Sequence, residues 1–474
     1  MTPEEFRKAG HELIDWIADY RTRIPELPVR ARVRPGEVRS SLPTSAPVST
    51  DTFGELMTAL EQIIVPGITQ VQHPMHYGWF PSNAALASVL GDIASSGLGT
   101  LGISWESCPA LTELEEVVCD WLRQLTGLSE QWRGTIHDTA STACVTAMIL
   151  ARERASALSK NGAGLQGMTA PLIVYSTAQA HSSVAKAVQL AGFGNDNLRY
   201  VAEDPYTRAM LPQALEEAVA QDLAAGSIPA GIVCSVGATG TTAMDPVAAI
   251  AAIANRHSVW LHVDAAMAGS AMLLPECRHL WQGVEQADSL AWNPHKWMGT
   301  ILDTALFYVR DVPHLERVMS TNPSYLRSAA DGEVTQYRDW GIPLGRRFRA
   351  LKLWFHLRLD GIEAIQARLR RDLDNAQWLK AQVEAAADWE VLAPVELQTV
   401  CIRHVPRDAK GYPLSGDALD RHTLAWVERI NASGSAFLTP SVLDGRWMAR
   451  VSIGVEGTGR EHVARLWQLL QDAV

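Results

Sequence analysis

The stretch Val259-Trp260-Leu261-His262-Val263-Asp264-Ala265-Ala266 decides the fold. It is a mostly apolar run of strand length that ends on a carboxylate and is followed by small residues. A run with large apolar residues on both alternating faces marks a strand covered on both sides, as in a parallel sheet between helices. Working outward, further strand-like runs stand at Leu172–Ser176, Gly231–Val236, Ser289–Trp292 and Ala305–Val309. Helix-like segments lie between them, at 182–191, 212–225 and 246–256. The alternation predicts an α/β unit with a mostly parallel central sheet.

Ligands of open α/β sheets sit beyond the carboxyl ends of the strands. There the chain places Asp264, then Asn293-Pro294-His295-Lys296-Trp297, and Ala180-His181-Ser182-Ser183. Asp138-Thr139-Ala140-Ser141-Thr142 precedes an apolar helix, and small hydroxyl residues at a helix start suit a phosphate. An amine, a carboxylate, a flat imidazole and a phosphate cup together match pyridoxal 5'-phosphate. Lysine forms a Schiff base with the aldehyde of that cofactor, and aspartate keeps its ring nitrogen protonated, so that the ring draws electrons.

On either side of this unit the pattern changes. Thr2-Pro3-Glu4-Glu5 reads as a capping box with proline at the first helical position. Phe6, Leu13, Ile14, Ile17 and Tyr20 then share one helix face, which predicts packing against another domain or subunit. Pro25, Pro28, Pro35, Pro43 and Pro47 favour an extended connector. Residues 347–385 read as one or two long helices, and the remainder mixes strands and helices. The expected organisation is an N-terminal helical arm and dimer clasp over 1–85, a large cofactor-binding α/β domain over 86–350, and a small C-terminal α+β domain over 351–474.

Composition sets the outer limits. The 474 residues carry 41 basic and 52 acidic side chains, a net charge of −11, which disfavours nucleic acid or an anionic membrane as partner. Six scattered cysteines form no CxxC pair, so free thiols are expected and no zinc knuckle. The start lacks a basic and then apolar signal, and no apolar run reaches membrane-spanning length, so a cytoplasmic location is expected. Gly97-Leu98-Gly99-Thr100-Leu101-Gly102 satisfies GxGxxG but follows a helix-like stretch, where a dinucleotide fingerprint needs a strand. His73-Pro74-Met75-His76 lacks a third ligand, so no metal is expected.

The blocks Asn293-Pro294-His295-Lys296-Trp297, His262-Val263-Asp264-Ala265-Ala266 and Ala180-His181-Ser182-Ser183, in this order and spacing, resemble those of group II pyridoxal-phosphate decarboxylases. The likeness is greatest to aromatic-L-amino-acid decarboxylases, the bacterial DOPA decarboxylases among them, and covers nearly the whole chain. It implies an aspartate-aminotransferase-like fold (fold type I), a homodimer with the active site at the subunit interface, and carboxy-lyase activity on DOPA, 5-hydroxytryptophan, tryptophan, tyrosine or phenylalanine. By the same resemblance Lys296 is the Schiff-base lysine, Asp264 the partner of the ring nitrogen, and His181 the ring stacker. Ala266 lies on the opposite ring face, Thr239 bonds near Asp264, and Ala140, Ser141 and Asn293 bind phosphate. Tyr325 corresponds to the tyrosine that separates amine-forming members from aldehyde-forming ones, within a polar segment suited to a lid. Trp79, Phe80, Pro81 and Ser82 line the substrate pocket, with Leu101 of the partner subunit and Ile103 of the partner subunit completing it. Glycine at the position of Gly345 goes with indole substrates. Family members often carry Gly-Ser where this chain has Asp138-Thr139, so the Asp138 carboxylate is expected to turn away from the phosphate.

Each assignment has a plainer reading beside it. Lys296 could be a surface lysine, Asp264 or His181 a helix cap, Asn293 a turn residue before Pro294, and Tyr325 a loop anchor. An aldehyde-forming decarboxylase or an aminotransferase of the same fold is the nearest alternative activity. A non-catalytic scaffold is argued against by the presence of both Lys296 and Asp264.

Overall fold

The computed structural model describes residues 1–157, 163–321 and 330–474. Helix α1 (Pro3–Arg23) begins as its sequence dictates. The Thr2 hydroxyl accepts the Glu5 N–H at 3.2 Å, and the Glu5 carboxylate accepts the Thr2 N–H at 2.7 Å. No residue of α1 is buried, and Phe6 keeps 64 % of its surface. The helix is anchored by Trp16 Nε1–H to Glu61 at 3.0 Å and by the hydroxyl of Tyr20, a member of the predicted face, to Gln70. The proline-rich connector is extended as expected, apart from a single turn at Ile24–Glu26 and the four-residue α2 (Glu37–Ser40). Helix α3 (Phe53–Ala59) repeats the capping box with Thr52 and Glu55.

Residues 82–380 and 391–401 form one compact unit. Its elements are α4 (Leu86–Leu98), α5 (Pro109–Leu125), β1 (Arg133–His137), α6 (Ala140–Ser156), β2 (Leu172–Ser176), α7 (Ser182–Leu190), β3 (Leu198–Tyr200), α8 (Pro212–Ala224), β4 (Ile228–Ser235), α9 (Val247–Arg256), β5 (Trp260–Asp264), β6 (Ser289–Trp292), β7 (Ala305–Val309), α10 (Val312–Met319), α11 (Ala350–Leu359) and α12 (Ile362–Ala385). The seven strands lie in the order β1-β7-β6-β5-β4-β2-β3. From β3 to β6 every pairing is parallel, and β7 runs antiparallel to both β6 and β1. Two reversals cancel, so β1 ends on the same edge of the sheet as β5 and β6. That topology brings the start of α6 to the edge where Asp264 emerges.

The sheet is a buried layer: β2, β6 and β7 are buried at every position. Ala143, Ala147 and Ala151 give α6 a flat face that packs with Val174, Val233, Trp260 and Phe307. Gly231 completes this fit, since a Cβ there would stand 3.3 Å from the Ala151 methyl. On α4, a Cβ at Gly91 would lie 2.5 Å from the Leu351 carbonyl oxygen, so α4 and α11 approach at backbone distance.

A second compact unit comprises residues 1–81, 381–390 and 402–474. Beyond β8 (Trp389–Val391) and β9 (Thr399–His404) come α13 (Gly416–Ser433), β10 (Thr439–Leu443), β11 (Arg446–Ser452) and α14 (Arg460–Asp472). Strands β10 and β11 form an antiparallel hairpin, and the four strands lie in the order β10-β11-β9-β8. Trp389 gathers the rings of His404, Trp426 and Trp467 around it, at centroid distances of 4.9 to 5.3 Å. The C-terminal part is thus α+β, as its sequence suggests.

Candidate active site

A chain of backbone bonds assembles the site at the end of β5. Asp264 pairs in register with Ser235 of β4 and Ala291 of β6. Its Oδ1 accepts the Ala266 N–H at 3.0 Å. Ala265 N–H donates to the Ala291 carbonyl and Asn293 N–H to the Ala266 carbonyl, both at 2.9 Å. Lys296 N–H then donates to the Asn293 carbonyl at 3.0 Å. Small residues at 265 and 266 permit this close weave. Lys296 itself is half-buried between the fully buried Trp297 and the buried His295.

His181 caps α7, its Nδ1 accepting the Ser183 N–H at 3.2 Å and lying 2.8 Å from the Ser183 hydroxyl. The helix-cap reading is therefore correct, and it accompanies a second fact. The His181 pKa is lowered, first by desolvation and then by the Lys296 ammonium, while the Asp264 carboxylate pulls it back. The imidazole thus feels both charges, and the three residues form one electrostatic cluster. Lys296 is half-buried, and its charge is felt by His181 and His295.

Neighbouring groups hold the cluster. His295 Nδ1 accepts the Thr304 N–H at 2.9 Å, and burial followed by Lys296 lowers its pKa to about 4, so the ring is neutral with its proton on Nε2. Thr239 sits in the turn after β4, where Gly237 and Ala238 both donate to the Ala243 carbonyl. A Cβ at Gly240 would stand 3.4 Å from Gln179 Oε1, so this turn abuts the segment that leads to His181.

The start of α6 supplies an anion site. Thr139 caps the helix: its hydroxyl faces the Thr142 N–H at 3.4 Å, and its carbonyl accepts the Ala143 N–H at 3.1 Å. Among the described residues the N–H groups of Ala140 and Ser141 meet no acceptor. The Asp138 carboxylate is occupied by the Thr139 N–H at 2.6 Å. Asn293 Oδ1 is buried without a partner among the described residues. One turn into the helix, burial and the charge of Asp264 raise the Cys144 thiol pKa, so this end of α6 faces the carboxylate. Two N–H groups and a buried amide oxygen without partners among the described residues, with an amine and a carboxylate on the same sheet edge, are groups that suit pyridoxal 5'-phosphate.

Other expected residues fall elsewhere. Trp79, Phe80 and Pro81 belong to the second unit, where the Arg450 guanidinium stacks over Phe80 at 4.3 Å and Trp79 packs on Phe437 at 5.1 Å. Ser82 belongs to the unit that carries Lys296. In that unit Gly102 and Arg346 exchange backbone hydrogen bonds, so Leu101 and Ile103 flank the same bridge as Gly345. Gly345 borders a cavity of about 200 Å³ with Ile136, Asp138 and Thr142. Tyr325 lies outside the described residues. Gly99 ends α4 in a left-handed conformation, which removes the dinucleotide reading. His73 accepts the Met75 N–H, and no cluster of three metal-ligating side chains occurs among the described residues. No helix among them is long and apolar enough to cross a membrane.

The sequence reading passed over His262 and Ser289. Nδ1 of His262 lies 2.9 Å from the Ser289 hydroxyl, directly beneath the strand end that carries Asp264. The signal was available: an imidazole at an alternate position of an otherwise apolar buried strand needs a reason to be there.

Residues 35–405 match the family model of the pyridoxal-dependent decarboxylase conserved domain. The chain is 38 % identical to tryptophan decarboxylase 2 of Oryza sativa subsp. japonica, over all of this chain and 95 % of that one. It is 39 % identical to phenylacetaldehyde synthase of Arabidopsis thaliana, over all of this chain and 96 % of that one. Among solved structures, the Oryza sativa tryptophan decarboxylase with pyridoxal phosphate and tryptamine superposes with a TM-score of 0.96 at 34 % identity, covering all of this chain and 98 % of the other.

Proposed function

Because the chain belongs to the pyridoxal-dependent decarboxylase family, we propose that it converts aromatic L-amino acids to their amines and CO2. One observation carries the reading: Lys296, Asp264 and His181 cluster at the sheet edge beside N–H groups of α6 that meet no acceptor among the described residues. Relatives named for tryptophan, tyrosine and DOPA decarboxylation support the aromatic substrate class.

In this reading Lys296 tethers the cofactor, Asp264 pairs with its ring nitrogen, and His181 and Ala266 lie against its two faces. Thr239 bonds beside Asp264, and Ala140, Ser141 and Asn293 hold the phosphate. When bound, the cofactor supplies an electron sink for the pair left behind by departing CO2. The residues do the rest. Asp264, its Oδ1 fixed by the Ala266 N–H, would hold a proton on the ring nitrogen. Lys296 would hold the cofactor's aldehyde carbon between turnovers. His181, fixed by Ser183, orients the reacting carbon and shields it from water. Tyr325 delivers the proton that replaces the carboxylate. The substrate contacts of Trp79, Phe80, Pro81, Ser82, Leu101, Ile103 and Gly345 belong to the same reading on the strength of the sequence resemblance.

A homodimer is part of the proposal. Leu86, Leu90 and Ile93 expose an apolar stripe on α4, and Phe6, Leu13 and Ile14 another on α1. Stripes of this kind on two helices are what a second copy covers. Sedimentation of the full chain should give twice the monomer mass. Placement in the cytoplasm rests on the sequence grounds given above.

The aldehyde-forming alternative stands because phenylacetaldehyde synthases are equally similar. The test is a panel of tryptophan, 5-hydroxytryptophan, DOPA, tyrosine and phenylalanine, with amine, aldehyde and peroxide measured together. Amine equal to CO2, without peroxide, is expected. Aldehyde with equal ammonia and peroxide, formed as O2 is consumed, would sink the reading. The Y325F variant should shift product toward that aldehyde, and borohydride reduction should mark Lys296 in peptide maps.

A further inference from the structure

Trp260, His262 and Asp264 alternate along β5 and so share one face of the sheet, the face that α6 covers. Trp260 Nε1–H donates to the Ser289 hydroxyl at 2.9 Å, and His262 Nδ1 lies 2.9 Å from the same oxygen. An indole N–H can only donate, so the Ser289 oxygen accepts there. Its single hydrogen is left for His262 Nδ1, since the Ser289 hydroxyl meets no other acceptor among the described residues. The imidazole proton of the neutral ring is thereby placed on Nε2. Burial keeps the ring neutral, lowering its pKa to about 4 against the pull of Asp264 and of the Ser289 backbone. Nε2 is fully buried and has no partner among the described residues. A buried donor without a partner calls for an explanation. The anion two residues along the same strand face is Asp264, whose charge acts on the ring; alternate residues of a strand stand roughly 6–7 Å apart at their Cα atoms, a spacing that a bridging water fits.

We propose that His262 is a positioning residue for Asp264. Its Nε2–H, oriented by Ser289 and Trp260, stabilises the Asp264 carboxylate through a single buried water and keeps it ionised and aimed at the cofactor nitrogen. The inference rests on the reading of Asp264 as partner of that nitrogen. It gives the Trp260–Ser289–His262 triangle a purpose that packing alone does not.

The test uses holoenzyme variants H262F, H262Q, S289A and D264N. Two quantities are read: the dissociation constant for pyridoxal 5'-phosphate, and the pH midpoint of the bound cofactor's visible absorption. H262F should weaken cofactor binding by about tenfold and move the midpoint by about one pH unit. H262Q, whose amide N–H replaces the donor, should stay within about threefold of the parent. S289A, which frees the ring tautomer, should fall between them. Parental values in H262F overturn the inference. So does H262Q behaving like H262F, which would make volume rather than the donor the cause. If H262F does not fold, S289A decides: parental affinity and midpoint overturn the inference. D264N separates the two levels. If it too leaves the spectrum unchanged, the role of Asp264 itself falls; if it changes the spectrum while H262F does not, only the present inference falls.

Discussion

Asp264 keeps one oxygen on the Ala266 N–H while its charge acts on His181, His262 and Cys144. Asp264→Asn preserves the shape and removes the charge. Losing one member of a buried charge pair costs about 3–5 kcal/mol. If that loss falls wholly on the transition state, kcat/KM drops by about two to four powers of ten. A loss under threefold in steady-state kinetics would contradict the assignment. At this scale the sequence was informative where chemistry is rare. A lysine between Pro294-His295 and Trp297, and an aspartate followed by two alanines, are unusual enough to be noticed alone. His262 was harder, because a histidine within an apolar run looks like an ordinary core residue until Ser289 is seen across the strand pair. The Asp138 carboxylate accepts the Thr139 N–H at 2.6 Å.

Helices α4 and α11 meet at backbone distance through Gly91. Gly91→Ala would press a methyl against the Leu351 carbonyl, and overpacking of this kind costs about 1–3 kcal/mol. Thermal unfolding should shift down by several degrees, and an unchanged transition would show that the helices can separate freely. The strands show which elements a sequence declares. Runs β2, β6 and β7 were legible to their ends because each is apolar but for a terminal serine in β2 and β6, and all are buried at every position. Strands β1 and β3 were missed: Arg133-Gly134-Thr135 and Leu198-Arg199-Tyr200 are short and partly polar, as suits the two outermost positions of the sheet. The reversed direction of β7 had a cue in the stretch 293–304, which shows no helical pattern. A parallel neighbour needs a crossover of a dozen or more residues, usually a helix.

Across the whole molecule, burial sets the acid limit. His76, His137, His262 and His295 are held to a pKa of about 4, and His356 to about 3, with desolvation the largest cause in each. In the unfolded chain such rings titrate near 6.5. Between these values the unfolded state binds protons that the folded state refuses, so stability is complete above about pH 6.5 and declines as pH falls toward 4. Asp245, raised to about 6 by burial, and Asp372, also raised by burial, work in the opposite sense, but as two groups against five. The urea midpoint should be steady from pH 7 to 8 and fall progressively below 6.5. A midpoint that is flat down to pH 4.5 would show that these rings are not buried in the folded protein.

Five of the six cysteines are buried, and only Cys108, at the cap of α5, is partly open to solvent. A maleimide dye applied to the native protein should therefore couple at one sulfur per chain, without any cysteine being removed by mutagenesis. The dye would sit a few residues from Leu101 and Ile103. For the proposed dimer, mixing donor-labelled and acceptor-labelled chains would turn that single reactive atom into a fluorescence gauge of how often subunits trade places.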